Sequence, residues 1–159
     1  KIKFFAVAVI LVFLNIQVYY FLKDYFGTYS AKSAIEWQYG MKQIVEFVKA
    51  HPEYGQVYMT DIRSQPYIFF LSYLKTPLPE YLDSVVYNRT ETKSFSTVSI
   101  FDKYYFGGWD PIESIPSPGV LYIVSPSQYD GLRHKSSFDV KKVIYYPNNA
   151  AAFFMVSAK

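Results

Sequence analysis

Residues 4–22 of the chain read FFAVAVILVFLNIQVYYFL, nineteen consecutive residues without a charged side chain. As an α-helix this segment is about 28 Å long, close to the thickness of the hydrocarbon core of a bilayer. Lys1 and Lys3 precede it, and Lys23 and Asp24 follow it. Tyrosine and phenylalanine crowd its second end, as in an interfacial aromatic belt. The pattern predicts a transmembrane helix.

The lysines around this helix predict its orientation. Two precede it and one follows it, so the positive-inside rule places the N-terminal end in the cytoplasm. We expect residues 1–23 to form a transmembrane segment in the cytoplasmic (inner) membrane and residues 24–159 to form an extracytoplasmic domain. A signal peptide is the alternative. The apolar run is long for one, and no small residues follow it as a cleavage site, which favours a retained helix.

Two amides within the apolar run, Asn15 and Gln17, leave two interpretations open. Such side chains usually form hydrogen bonds with neighbouring membrane helices, which predicts that this is the last helix of a larger bundle. A single-pass helix also tolerates them, because amides cost less than charges. The chain begins with Lys rather than Met, and we expect it to be a piece of a longer protein.

Composition bounds the remaining functions. The chain has 159 residues with 51% hydrophobic and 21% aromatic side chains, which argues against disorder. Its net charge of +3 is accounted for by the lysines around the apolar run, so the domain is neutral and a nucleic-acid partner is not expected. There is no cysteine, which excludes disulfides and thiolate metal sites. We expect no cofactor and no metal.

Periodicity beyond the apolar run predicts an α/β domain. Ser33 and Glu36 form a capping-box pattern that predicts a helix over residues 34–50, with Trp37 on its apolar stripe. A strand over 56–60 follows. Ser64 then predicts the cap of a second helix, which is apolar nearly all round and therefore expected to be buried.

The second half of the chain is richer in strands. A β-rich run over 93–105 precedes the apolar strand VLYIV at 120–124, and Ser125 and Gln128 predict a capped short helix. Two strands, 140–146 and 151–158, are joined by a hairpin turn. The order predicts an α/β sandwich with a mixed sheet, with parallel crossovers early and an antiparallel hairpin at the end.

Several stretches, in order, resemble a known family. They are SAIEWQYG (33–40), VYMT (57–60), QPYIFF (65–70), FDKY (101–104), LYIVSP (121–126), and IYYPN (144–148) followed by FF (153–154). The chain resembles the C-terminal part of prokaryotic GT-C membrane glycosyltransferases of family 39, which are related to protein O-mannosyltransferases and to the aminoarabinose transferases of lipid A.

The resemblance implies a polytopic enzyme that transfers a sugar from a polyprenyl-phosphate donor outside the cytoplasmic membrane. In that family the catalytic carboxylates lie in the first external loop, which this chain does not contain. The resemblance therefore implies a noncatalytic extracytoplasmic domain. Its expected partners are membrane lipid, other transmembrane helices of the same protein, and a lipid-linked sugar or acceptor. A single-pass, membrane-anchored binding or sensory domain is the alternative.

One loop is the best candidate for substrate binding. Ligands of open α/β sheets favour the loops at the carboxyl ends of strands, and residues 60–65 follow the first predicted strand. Asp61, Arg63, Gln65 and Tyr67 place a carboxylate, a guanidinium, an amide and an aromatic ring there, which suits sugars and phosphates. The alternative is structural, with Ser64 capping the helix and Asp61 pairing with Arg63.

Other candidates have structural explanations beside them. Trp37 and Tyr39 could stack on a sugar or pack in the core, and the Ser125 loop could bind a ligand or only cap its helix. Trp109 could enter the bilayer interface or cover a site. A third hypothesis is a hydrolase that uses external carboxylates, drawn from Asp61 and from three acids of a later loop-rich stretch, Asp102, Asp110 and Glu113.

Overall fold

The computed structural model describes residues 2–88, 97–108 and 116–159. Trp109, Asp110 and Glu113, named above as candidates, lie outside the described residues. The chain divides into two compact units, one ending at Trp37 and the other beginning at Gln38. We describe each unit separately.

The first unit is helical. Helix α1, Ile2–Asp24, continues through a π-helical turn, Tyr25–Tyr29, into the short helix α2, Ser30–Lys32. Asp24 accepts a hydrogen bond from the Thr28 hydroxyl and forms an ion pair with Lys32 at 3.4 Å, and these contacts stabilise the helical turns that follow α1. The combined helix is long and apolar enough to cross a membrane, and none of its apolar window is buried.

Side chains along this helix form hydrogen bonds and ring contacts within the helix itself. The amide nitrogen Nδ2 of Asn15 donates to the carbonyl oxygen of Leu11 at 2.8 Å. The rings of Phe21, Tyr25 and Tyr29 stack at successive separations of 5.7 and 5.6 Å between centroids. Aromatic residues four positions apart lie on one helix face, so these three rings form a continuous stack along it.

The second unit is built on a mixed sheet. Within the described residues its strands are β1 (Gln56–Thr60), β2 (Val86–Asn88), β3 (Thr97–Phe101), β4 (Tyr104–Gly107), β5 (Val120–Val124), β6 (Phe138–Tyr145) and β7 (Ala151–Ala158). Their order in the sheet is β2-β3-β4-β1-β5-β7-β6. Strand β1 pairs in parallel with β4 and β5, and the other pairs are antiparallel. The predicted α/β class, with its mixed sheet and terminal hairpin, is confirmed.

The helices of this unit are short. They are α3 (Met41–Ala50), α4 (Tyr67–Leu74), α5 (Leu78–Ser84) and α6 (Pro126–Asp130), with a 3₁₀ turn at Lys135–Ser137. Helix α6 has the predicted capping box: Ser125 Oγ accepts from the Gln128 backbone N–H, and the Gln128 side chain accepts from the Ser125 N–H. This prediction is confirmed because every partner lies within four residues of sequence.

The predicted start of the first domain helix is wrong. Ser33 Oγ donates to the carbonyl oxygen of Tyr29 at 2.6 Å instead of capping a following helix. Gln38 and Gly40 adopt left-handed backbone angles, with φ of 55° and 98°, so a right-handed helix cannot continue through them. Helix α3 therefore begins at Met41. Trp37 lies before it and is 72% exposed, so its predicted core packing is also wrong.

Helices α3 and α4 bury one face each. Met41, Ile44, Val45 and Val48 form the buried stripe of α3, as the helical spacing predicted. Helix α4 was expected to be buried all round, but only Phe70 is fully buried. Apolar composition predicted burial, whereas the sheet beneath α4 covers only one side of it.

Aromatic rings make up the core around Phe70. Its ring centroid lies 5.1 Å from that of Tyr104 and 5.4 Å from that of Phe106, and Phe101 stacks on Phe106 at 5.6 Å. A second cluster contains Tyr122, Phe138 and Val156 among its buried residues. Strand β5 is buried at every position, as predicted for VLYIV, and its residues Val120, Tyr122 and Val124 belong to the second cluster.

Candidate functional site

A small cleft lies at the carboxyl edge of the parallel strands β1 and β4. Strands β2 and β3 reach the same edge, because β3 runs antiparallel to β4 and β2 antiparallel to β3. The cleft has a volume of about 140 Å³ and is lined by Asp61, Ser64, Gln65, Pro66, Tyr67, Asn88, Thr97, Val98 and Phe106. This is the position at which open α/β sheets bind their ligands.

The loop after β1 is shaped by its backbone. The Asp61 N–H donates to the carbonyl oxygen of Gly107 at 3.2 Å, which ties the loop to the end of β4. The Ser64 N–H donates to the Asp61 carbonyl oxygen at 2.9 Å, closing a turn in which Ser64 has a left-handed φ of 73°. No side chain caps helix α4, so the predicted capping role of Ser64 is wrong. Ser64 lines the cleft instead.

Three of the four residues predicted to bind substrate line this cleft together. They are Asp61, Gln65 and Tyr67. Within the described part of the chain their side-chain polar atoms form no hydrogen bond or ion pair. The ring of Tyr67 meets that of Phe106 edge to face, with centroids 6.5 Å apart. The cleft thus combines unused hydrogen-bonding groups with an aromatic wall.

Arg63, the fourth predicted residue, does not line the cleft. Its guanidinium group donates to the Tyr146 hydroxyl, to the carbonyl oxygen of Ala152 at 3.3 Å and to that of Tyr39 at 3.4 Å. It also lies 4.3 Å from the ring centroid of Phe153. The ion pair with Asp61 proposed from the sequence does not form, because these partners draw the guanidinium toward the hairpin of β6 and β7.

The backbone of Arg63 is held as well. Its carbonyl oxygen accepts a hydrogen bond from Nε2 of Gln38 at 2.9 Å, and the Gln38 carbonyl oxygen Oε1 is buried without a partner in the described residues. Arg63 therefore links the loop after β1 to the start of α3 and to the terminal hairpin. Asp61 and Arg63, two positions apart in sequence, therefore have different roles. Asp61 lines the cleft, and Arg63 anchors the loop.

A second, larger cleft collects acidic side chains. It has a volume of about 550 Å³, and its lining includes Lys75, Glu80, Asp83, Asp102 and Tyr104. Burial raises the pKa of Tyr104, with a smaller contribution from the nearby charge of Asp102. Asp102 and Asp61 therefore lie in different clefts and do not form a carboxylate pair.

The histidines have local roles or none. His51 stacks on Phe47 with centroids 3.9 Å apart, and its Nδ1 lies 2.8 Å from the Phe47 carbonyl oxygen. Across residues 2–88, 97–108 and 116–159 there is no group of three or more histidine, aspartate or glutamate side chains that could hold a metal ion.

Tyr39 packs against Tyr146, with ring centroids 5.9 Å apart, which gives it a structural contact.

Sequence reasoning missed part of the cleft. Asn88, Thr97 and Phe106 complete its wall from strands β2, β3 and β4. Asn88 and Thr97 are register partners in the antiparallel β2–β3 pair, so one hairpin places both at this edge. Nothing in the local sequence around them signals a site, since their position depends on strand order.

Comparisons of the chain with protein-family models, with curated proteins and with solved structures give no match.

Proposed function

We propose that the chain is the noncatalytic extracytoplasmic domain, together with the last transmembrane helix, of a polytopic membrane glycosyltransferase. The whole protein would transfer a sugar from a polyprenyl-phosphate donor. The observation that carries the proposal is the exposed apolar helix Ile2–Lys32, followed in the chain by an α/β unit with a polar cleft. Asp61 is the one acidic side chain among the described residues that line this cleft. The type of reaction is inferred from the resemblance to the glycosyltransferase family, whose matching stretches occur in the same order along the chain.

The helix supports a place within a bundle. Asn15 uses one amide hydrogen within its own helix, and its Oδ1 has no hydrogen bond in the described part of the chain. Gln17 forms no hydrogen bond in that part either. Polar groups in hydrocarbon gain from partners on neighbouring helices. These amides therefore suit a helix that packs against others of the same protein.

The cleft supports a binding role without catalysis. Glycoside hydrolysis generally uses two carboxyl groups that flank the scissile bond. Asp61 is the one acidic side chain among the described residues that line the cleft. Since Asp102 lines the other cleft, a hydrolase that pairs Asp61 with Asp102 is disfavoured. A binding site that supports donor or acceptor fits these residues better.

The charges beside the helix support the proposed sidedness. By the positive-inside rule, Lys1 and Lys3 before the helix and Lys23 after it favour an extracytoplasmic position for the residues that follow the helix. That is the side on which the proposed enzyme would use its polyprenyl-phosphate donor.

The test begins with the gene upstream of Lys1. We expect it to encode several further apolar segments, with an acidic pair after the first. The whole protein, reconstituted in proteoliposomes with a radiolabelled polyprenyl-phosphate sugar, should transfer that sugar. Transfer should stop when the upstream acidic pair is changed to alanine and persist when Asp102, Asp110 and Glu113 are changed. A reading frame that begins within a few residues of Lys1, with no upstream membrane helices, would refute the proposal.

The alternative is a single-pass anchored binding or sensory domain. The unused polar groups of Asp61 and Gln65 in the cleft favour it as a second candidate. The upstream gene separates the two, because only the glycosyltransferase requires further membrane helices. Thermal stabilisation of the chain by a small ligand, with no transfer by the whole protein, would favour the alternative.

A further inference from the structure

The position of Arg63 changes the ligand chemistry of the cleft. The sequence suited both sugars and phosphates there, because Arg63 offered a cation beside Asp61. In the structure the guanidinium is committed to Tyr146 and Phe153, and Asp61 is the one charged side chain among the described residues that line the cleft. A phosphate placed there would meet a carboxylate and no opposing cation from those residues.

The remaining lining groups match hydroxyl chemistry. The Asp61 carboxylate accepts up to two hydrogen bonds from adjacent hydroxyls, and the amides of Gln65 and Asn88 each donate and accept. The hydroxyl of Thr97 does both as well. The rings of Tyr67 and Phe106 supply an apolar wall for the C–H face of a sugar ring.

The size of the cleft limits the ligand further. Its volume of about 140 Å³ is below the roughly 300–1,000 Å³ typical of pockets for drug-sized ligands. A single sugar ring suits that space, and a longer oligosaccharide would extend beyond it.

We propose that this cleft binds one neutral hexose ring, through Asp61, Gln65 and Tyr67, and that its described lining residues do not bind the phosphate of a lipid-linked sugar. The inference rests on the proposed function, because it names the ligand of a cleft in the proposed extracytoplasmic domain. It assigns the domain to the recognition of sugar hydroxyls, and it leaves recognition of phosphate to another part of the protein.

The test is a saturation-transfer NMR titration of the full chain in lipid nanodiscs, which avoids detergents with sugar head groups. The probes are the methyl α-glycosides of glucose, mannose and galactose, with methyl phosphate and empty nanodiscs as comparisons. We expect saturable binding of at least one hexoside with a Kd on the order of 1 mM, as suits a small ligand with few contacts. Methyl phosphate, whose methyl protons report binding, should show no saturable signal.

Variants locate the binding. Asp61→Asn keeps the shape of the side chain and should weaken hexoside binding about tenfold or more. Tyr67→Ala should weaken it as well. The matched control, Asp83→Asn, removes a carboxylate from the other cleft and should leave binding unchanged. Circular dichroism of each variant confirms that the fold is retained.

Three results would overturn the inference: no hexoside binding, methyl phosphate binding without hexoside binding, or hexoside binding that Asp61→Asn and Tyr67→Ala do not change. These outcomes differ from failure of the proposed function. If the whole protein transfers sugar but this cleft binds no hexoside, only the present inference fails. If the gene encodes no further membrane helices, the proposed function fails and the binding result still stands.

Discussion

The guanidinium carbon of Arg63 lies 4.3 Å from the ring centroid of Phe153, ninety positions later in the chain. Together with the hydrogen bonds to Tyr146 and Ala152, this contact fastens the loop after β1 to the hairpin of β6 and β7. The cleft therefore depends on an anchor that is not itself part of its lining.

Loss of this anchor should destabilise the second unit. We expect Arg63→Ala to lower the free energy of unfolding by about 2–3 kcal/mol, because it removes several charge-assisted hydrogen bonds and a cation–π contact. Arg63→Lys should retain only part of this stability, since an ammonium group cannot form the same set of hydrogen bonds as the planar guanidinium group. Denaturant unfolding of the chain in nanodiscs, followed by intrinsic fluorescence, measures the change.

The control for Arg63 is Lys141→Ala. Lys141 forms only a surface ion pair with Asp139, at 3.5 Å, and its loss should change stability by less than about 1 kcal/mol. Equal effects of Arg63→Ala and Lys141→Ala would show that Arg63 does not anchor the loop.

Gly40→Ala should destabilise the same unit by about 1 kcal/mol or more. Gly40 has φ of 98°, and an added Cβ would lie 3.0 Å from Cγ2 of Ile144 and 3.5 Å from Cδ2 of Phe153. Both the backbone angle and the contact oppose a side chain. Gly55→Ala is the matched control, because nothing lies within 4 Å of its added Cβ. Thermal unfolding of both variants checks the prediction, which fails if Gly40→Ala is as stable as Gly55→Ala.

Alkaline pH should act through Tyr81. Burial, together with the neighbouring Tyr87, raises the pKa of Tyr81 to about 12. The unfolded chain loses this proton near pH 10, while the folded chain retains it, so the contribution to stability falls as the pH rises from about 10 to about 12.

The measurement for Tyr81 is a difference titration. Tyrosinate absorbance of the chain, minus that of Tyr81→Phe, should show a group that ionises near the top of this range. Tyr145→Phe, which removes the hydroxyl group of a tyrosine that is 55% exposed, serves as the comparison. A Tyr81 transition near pH 10 would contradict the prediction.

The topology of the helix can be tested with single cysteines, because the chain has none of its own. We expect a membrane-impermeant maleimide to label Lys49→Cys from outside intact cells and Lys3→Cys only after lysis. Both positions are exposed in the structure. Labelling of Lys3→Cys in intact cells would contradict the orientation. A product shortened by the length of the apolar segment would indicate a cleaved signal peptide.

Local patterns predicted the elements whose partners are close in sequence. The capping box of Ser125 and Gln128 forms as expected, and so does the terminal hairpin, where Asn149 takes the left-handed angle that its turn requires. The apolar run VLYIV is the buried strand β5. Each depends on hydrogen bonds or on a periodicity contained within a few residues.

Local patterns failed where the backbone adopts a conformation that they do not predict. Ser33 and Ser64 both carry cap sequences, yet neither caps a helix, because the backbone around Gly40 and at Ser64 itself is left-handed. The added strand β2 at Val86–Asn88 was not predicted, and its three residues are all exposed. A short exposed strand has no apolar alternation to reveal it.

The sequence by itself determined the apolar helix, the α/β class and the loop that bears Asp61, Gln65 and Tyr67, because burial periodicity and the order of elements are properties of the chain. Only the tertiary structure decided which of the loop's polar groups face the cleft. Arg63 contacts Tyr146 and Phe153 instead of lining the cleft. Other strands contribute Asn88, Thr97 and Phe106 to its lining. The physical reason is that strand order and long-range hydrogen bonds set these neighbours, and neither is encoded in the residues beside them.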